Sequence, residues 1–254
     1  MRRRWISIGA VLVLILAACH EETPAATPPS TTSPTTTAAT TAPETTTTST
    51  TTTTITTLPE VDLDYVPPEV DADNPCLDRA VFGDPADSEY VLPFAIGEEY
   101  LITQSYCFQQ GGHREQLAYD FNMPVGDDVL AARAGVVVEV KQDSPDDGRG
   151  HGRHNYVYIR HEDGTIAFYA HLRQDHVYVE WGQSVEAGEP IADSGNSGMT
   201  GGRPHLHFGV YEYWPPTEGR GVPVNFRNAE GPLDPRRGLM FNRVYEALPW
   251  DDAS

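Results

Sequence analysis

The chain has 254 residues and three cysteines, and its 37 Asp and Glu against 17 Lys and Arg set a formal net charge of -20 at pH 7. Phosphate backbones are bound by clustered Lys and Arg, so this balance argues against a nucleic-acid partner. It suits a solvated acidic surface and says nothing about oligomeric state.

Arg2, Arg3 and Arg4 precede an apolar run from Trp5 to Ala18. That run is shorter than the ~20 residues a membrane-spanning helix needs, so residues 1–18 read as a secretory signal peptide. Leu16-Ala17-Ala18-Cys19 resembles the lipobox of bacterial lipoproteins, which makes Cys19 the expected acylation site. An ordinary secretory signal with a coincidental cysteine is the competing reading. Each buried acyl methylene contributes about 0.8 kcal/mol, so a doubly or triply acylated Cys19 would hold the mature protein at the membrane, outside the cytoplasm. From Glu21 to about Leu58 the chain is mainly Thr, Pro, Ser and Ala. Such a stretch lacks the apolar surface that offsets ordering entropy, so residues 19–60 are expected to be a lipidated cysteine and a disordered tether. As a flexible coil of about forty residues it would span roughly 35 Å.

The remainder is long enough for one domain with its own core. Gly and Pro punctuate short alternating segments and no long apolar stripe of helical period follows the leader, which predicts an all-β fold. Expected strands are Glu99–Thr103, Leu117–Phe121, Gly135–Lys141, Asn155–His161, Thr165–His171, Glu189–Ser194 and His205–Tyr211. Residues 61–110 form a lead-in, 111–211 the core and 212–254 an extension packed on it. Cys76 and Cys107 are the two cysteines left after Cys19, and an exported domain favours a disulfide between them over two free thiols.

Pro204-His205-Leu206-His207-Phe208 places two imidazoles one residue apart in an alternating stretch, so both project from one strand face while Leu206, Phe208 and Val210 face a core. Upstream, His113 follows Gly111-Gly112 and Asp120 ends Leu117-Ala118-Tyr119-Asp120. In Ile166 to His171, alternation puts Ala167, Tyr169 and His171 on one face. Imidazoles and a carboxylate suit a borderline-soft cation such as zinc, whose catalytic sites keep three protein ligands and one open position. Spacing leaves open whether both histidines of the His-Leu-His run bind metal or only one.

Gly112-His113, Ala118 through Gly126, Tyr169-Ala170-His171-Leu172 and Pro204 through Phe208, in that order, resemble the lysostaphin or LytM-type zinc metallopeptidases, which cut peptide bonds in bacterial peptidoglycan. The resemblance implies antiparallel sheets carrying one zinc ion in a groove, the duplicated hybrid motif of LytM-like domains. It implies His113, Asp120 and His207 as metal ligands, with His171 and His205 as the unliganded catalytic pair. Many members have three residues between the first His and Asp, whereas six intervene here, Arg114 to Tyr119; a longer loop carrying His113 accommodates them. The implied substrate is the peptide part of peptidoglycan. The rivals are a non-catalytic relative that binds wall or activates another hydrolase, and a protease acting on proteins.

Other polar features read more plainly. His151, His154, His161 and His176 are expected to be solvated or hydrogen-bonded, and Gly150-His151-Gly152-Arg153-His154, after the acidic Asp143–Gly150 loop, a mobile rim. The aromatic residues Tyr211, Tyr213, Trp214, Phe226, Phe241, Tyr245 and Trp250 are expected to serve packing before substrate contact.

Overall fold

The computed structural model describes residues 71–150, 153–216, 220–231 and 238–251. The signal peptide, Cys19, the tether and His151 fall outside the described residues. Twelve strands follow in chain order: β1 Glu99–Gln104, β2 Ala118–Phe121, β3 Asp128–Leu130, β4 Gly135–Lys141, β5 Asn155–Arg160, β6 Ile166–Val177, β7 Ser184–Val185, β8 Pro190–Ser194, β9 Leu206–Tyr211, β10 Gly221–Val222, β11 Ala229–Glu230 and β12 Val244–Ala247. Two 3-10 turns, Pro75–Arg79 and Pro85–Asp87, are the helical elements among the described residues. The fold is all-β, as the alternation predicts.

Pairing is antiparallel throughout, in the order β11-β12-β1-β2-β9-β6-β5-β4-β7, with β10 on β9 and β8 joined to both β3 and β6. Period-2 burial explains why these segments are strands. In β5, Asn155, Val157 and Ile159 are buried while Tyr156 and Tyr158 are half-buried on the other face. β2 and β9 lie in the middle of the order and are buried almost along their whole length. The expected strands are all present, but β6 continues past His171 to Val177. β3, β7, β10, β11 and β12 have two to four residues each, too few for alternation to register.

The segments flanking the core share its sheet. β1 from the lead-in lies between β2 and β12, and β12 comes from the extension. Phe226 packs against Tyr119, Phe121 and Phe208 with ring centroids 5.8, 6.2 and 5.7 Å apart. The buried Tyr119 hydroxyl donates to the Val224 carbonyl at 3.0 Å and accepts from the Leu239 amide at 3.3 Å. Phe226 and Tyr245 are therefore core residues, and Phe241 stacks obliquely on Phe108 at 4.8 Å. Trp214 and Tyr213 instead remain 40% and 44% exposed.

Cys76 and Cys107 form a disulfide with a Cα–Cα distance of 5.6 Å. Beside it the Asn74 amide donates to the Cys107 and Arg114 carbonyls at 3.3 and 2.9 Å, and the Arg79 guanidinium to the Glu115 carbonyl at 2.9 Å. The lead-in thus grips both ends of the loop that carries His113. Because the crosslink spans 31 residues, its removal in a Cys76→Ser/Cys107→Ser protein should destabilise the fold by about 3–4 kcal/mol in the chain-entropy description. Urea unfolding of the double variant against the parent checks this.

Candidate active site

Strand register brings the first two site residues together. Asp120 of β2 stands opposite His207 of β9, and His207 stands opposite Ala170 of β6. Directly opposed side chains on one sheet face have Cβ atoms about 4.5–5.5 Å apart, so a residue eighty-seven positions away in sequence becomes a neighbour. The His207 Nδ1 lies 3.0 Å from Asp120 Oδ1.

His113 arrives from the loop between β1 and β2. Its Nδ1 is 3.1 Å from the Ser105 carbonyl, which only accepts, so the ring proton sits on Nδ1 and Nε2 keeps its lone pair. That Nε2 is 3.0 Å from Asp120 Oδ1 and 3.0 Å from His207 Nδ1. Three potential ligand atoms therefore meet in a triangle, on residues that are 2%, 2% and 8% exposed. Such a cluster repels itself unless a cation or a proton sits within it.

The electrostatics express the same demand. Burial opposes ionisation of Asp120, yet His113 and His205 beside it hold the carboxyl well below its usual range. Burial likewise disfavours a charge on His113, but Asp120 overcomes it and raises the imidazole. Burial lowers His207. Without a metal, the carboxylate draws a proton into the cluster.

Ligand atoms at about 2.0–2.1 Å from one tetrahedral ion lie roughly 3.3 Å from each other. The three 3.0 Å separations, the lone pair aimed inward and the two-nitrogen, one-oxygen donor set fit a zinc ion. His113, Asp120 and His207 are the residues that would hold it. The spacer of six residues, where many members have three, leaves this geometry intact because the extra length is taken up in the loop before β2.

The second pair of histidines lies alongside. His205, just before β9, has its Nδ1 2.8 Å from the Arg203 carbonyl and its Nε2 3.6 Å from Asp120 Oδ2. His171 places its Nδ1 2.7 Å from the Ser197 carbonyl, and its ring is 4.5 Å from that of His205 and 6.1 Å from that of His207. Carbonyl acceptors again fix the proton on Nδ1 in both rings and leave the lone pair on Nε2. Burial, followed by His205 and His207, pushes His171 down to about 3.

Simple alternation for His171 needs correction. It assigns His171 to the face of Tyr169, which is fully buried, accepts from the Ala132 amide at 2.8 Å and packs on Phe208 at 5.2 Å. His171 instead joins the cluster on the opposite face. Asn155 pairs with Leu172 and Tyr156 with Ala170, so His171 is an extra, unpaired residue. Its φ of +65° gives the bulge a left-handed residue that re-aims the side chain. This backbone position strongly favours glycine in general, and here the surrounding hydrogen bonds hold a histidine in it.

Several contributors had no signal in the sequence. Gln104, opposite Asp120 across β1 and β2, donates to Asp120 Oδ2 at 2.5 Å. Asn155 donates its backbone N–H to the Ser197 hydroxyl at 2.9 Å, and that hydroxyl donates to the Leu172 carbonyl at 2.7 Å, which steadies the segment holding His171. Asp146 accepts from the backbone amides of Gln174 and Asn196, both at 3.0 Å, so the acidic loop is tied to the same segment. His154, read as a solvated residue, is half-buried with its ring 5.8 Å from His171 and 5.8 Å from Phe168. From His207 an aromatic row runs through Phe168 at 5.5 Å and Tyr158, stacked on it at 4.5 Å, to Trp214 at 4.7 Å. His161, by contrast, is a buried structural residue bonded to the Ala134 carbonyl at 2.8 Å, and His176 pairs with Asp193 at 3.0 Å.

The model of peptidase family M23 matches residues 114–226, a stretch that opens one residue after His113 and includes Asp120, His171, His205 and His207. This part of the chain is a peptidase M23 domain. A similar protein is the peptidoglycan DD-endopeptidase ShyA of Vibrio cholerae, 37% identical over 114 residues, which are 45% of this chain and 23% of that protein. Another is the uncharacterized lipoprotein YgeR of Escherichia coli, 35% identical over 109 residues, 43% of this chain and 38% of the relative. The chain thus spans well under half of these curated relatives. Among solved structures, the catalytic domain of the prophage-encoded M23 protein EnpA from Enterococcus faecalis is 25% identical, covering 52% of this chain and 93% of that one with a TM-score of 0.40.

In the metal-free M23 domain, the His171 ring should remain neutral from pH 8 down to pH 5, because its pKa lies near 3. Proton NMR of the ring resonances across that interval checks this. A midpoint near the ordinary ~6.5 would contradict the burial described above.

Proposed function

We propose that this protein is a zinc-dependent endopeptidase that hydrolyses peptide bonds of bacterial peptidoglycan, anchored at the membrane outside the cytoplasm through lipidated Cys19. The observation that carries the reading is the convergence of His113, Asp120 and His207 into one buried donor triangle beside two imidazoles whose lone pair is on Nε2. Membership of residues 114–226 in peptidase family M23 supports the peptidase class. The name of the Vibrio cholerae relative supports peptidoglycan as substrate, and that of the Escherichia coli relative supports a lipoprotein. No helix among the described residues is long and apolar enough to cross a membrane.

When bound, zinc supplies Lewis acidity, polarising a carbonyl and acidifying water. The rest of the chemistry falls to the chain. His113, Asp120 and His207 contribute a single negative charge to the cation, so the buried site keeps a net positive charge that attracts a carbonyl oxygen. His171 and His205 each hold Nδ1–H against a backbone carbonyl, which fixes the tautomer and leaves Nε2 to accept a proton from the attacking water. Once protonated there, either ring can donate to the oxyanion or hand the proton to the departing amine. The aromatic row from Phe168 to Trp214 offers an extended substrate a flat surface on one side of the site. In the proposed layout residues 1–18 are the signal peptide, 19–60 the tether, 61–110 the lead-in, 111–211 the catalytic core and 212–254 the extension.

His207→Ala should lose zinc, while His171→Ala and His205→Ala should retain it and lose hydrolysis by at least about 10²-fold, the range of a general acid–base contribution. Metal content by atomic absorption, with digestion of purified peptidoglycan followed by new amino termini, measures both. Equal zinc loss in all three variants contradicts the division of roles. A zinc-loaded parent that releases no amino termini from wall favours the non-catalytic reading.

A further inference from the structure

The contact that stands outside the metal-ligand and catalytic roles above is Gln104. It lies on β1 directly opposite Asp120, and a register irregularity between Ile102 and Gln104 brings it there. Its Nε2 donates to Asp120 Oδ2 at 2.5 Å, while its Oε1 accepts from the Gly112 amide at 2.7 Å. Gly112 immediately precedes His113. One side chain therefore spans two groups that approach the triangle from different directions, a strand carboxylate and a loop imidazole.

The orientation of the amide is fixed by its partners. A carboxylate can only accept and a backbone N–H can only donate, so a flipped amide would set oxygen against oxygen and N–H against N–H. The remaining capacity of the carboxylate is shared in the same way: Oδ1 serves His113 and His207, and Oδ2 serves Gln104 and, at 3.6 Å, His205. The loop is shaped to admit the contact. A Cβ on Gly111 would sit 1.6 Å from Gln104 Oε1 and 2.6 Å from its Cδ, whereas a Cβ on Gly112 would meet nothing. The absence of a side chain at residue 111 is what lets the glutamine amide reach the loop.

Resting on the zinc reading above, we propose that Gln104 is a positioning residue: a two-ended clamp that orients the Asp120 carboxylate and sets how far the His113 loop stands from it, and so tunes metal affinity. Hydrogen bonds that orient a metal-ligating group commonly change affinity by about 10–100-fold when removed. The glutamine touches neither the proposed cation nor substrate. Its effect passes through Asp120 and Gly112.

The test uses the full extracytoplasmic chain, with zinc itself as probe and competition against a chromophoric chelator as readout. Gln104→Ala should weaken zinc binding by about 10–100-fold and speed hydrogen exchange at the Gly112 amide. Gln104→Glu separates the two ends: it keeps an acceptor for Gly112, so that amide stays protected, but sets a second carboxylate against Asp120. Gly111→Ala should mimic Gln104→Ala, since its Cβ displaces the far end of the glutamine side chain, with the edge of the Phe108 ring 2.9 Å away yielding by a few tenths of an ångström. In the Gln104→Ala background, Gly111→Ala should add little further loss, because both act through one contact.

Zinc affinity equal to the parent in both Gln104→Ala and Gly111→Ala would overturn the proposal and leave the zinc reading standing. Additive losses in the double variant would overturn the shared mechanism. A parent protein that binds no zinc would overturn the zinc reading, and the clamp with it. Should Gln104→Ala fail to fold, the Gly111→Ala and Gln104→Glu measurements decide alone.

Discussion

A buried carboxylate among imidazoles is the constraint around which this domain is organised. Asp120 is 2% exposed on a strand near the middle of the sheet, where an unpaired charge is strongly disfavoured. Every polar group around it answers that problem. His113 and His207 converge on one oxygen, while Gln104 and His205 face the other. Backbone carbonyls set the tautomers of three of the rings: each accepts from Nδ1–H and leaves the Nε2 lone pair facing the cluster, where a cation would meet it. Ser105, Arg203 and Ser197 supply those carbonyls for His113, His205 and His171. The site is therefore a set of oriented tautomers, and the orientation comes from backbone acceptors in the loops.

Those loops are themselves held by contacts away from the metal-ligand and catalytic side chains. The disulfide and the Asn74 and Arg79 contacts grip the loop of His113, and the loop behind His171 is fastened through Asn155, Ser197 and Asp146. The extension contributes Phe226, Leu239 and Tyr245 to the core beneath β2 and β9, where Tyr119 bonds to it from the strand that carries Asp120. Loops on a rigid sheet tend to be mobile; here crosslinks and side-chain amides restrain the ones that place ligands. The lead-in and extension brace the site, and the lead-in also reaches it through the Gln104 amide and the Ser105 carbonyl.

The bulge at His171 shows how a sheet can present more functional groups than alternation permits. At the start of β9, His205 and His207 share a face by their two-residue spacing. By alternation β6 offers Ile166, Phe168 and Ala170 to that face, and Ala170 is the residue opposite His207. One unpaired residue with a left-handed backbone adds an imidazole beside the row without moving the strand. The resulting strain is offset by the hydrogen bond to Ser197 and by packing against His205 and His154.

The all-β class, seven of the strands, the disulfide pair and the residues that meet at the site were legible from alternation, cysteine count and motif order, because these are local or pairwise signals. His205 and His207 could be placed on one face from their spacing alone. What spacing left open was decided by pairing between distant strands. Register set Asp120 beside His207, the loop of His113 closed the triangle, and a bulge turned His171 away from the face its strand period assigns. Gln104 and the restraining amides were invisible for the same reason: a glutamine in a strand has no characteristic pattern, and its role exists only once β1 and β2 lie side by side. The sequence by itself determined which side chains were available and the period on which they were strung. Only the tertiary structure decided which atoms meet, because a distance between residues far apart in the chain depends on register, and register is settled by how the whole sheet packs.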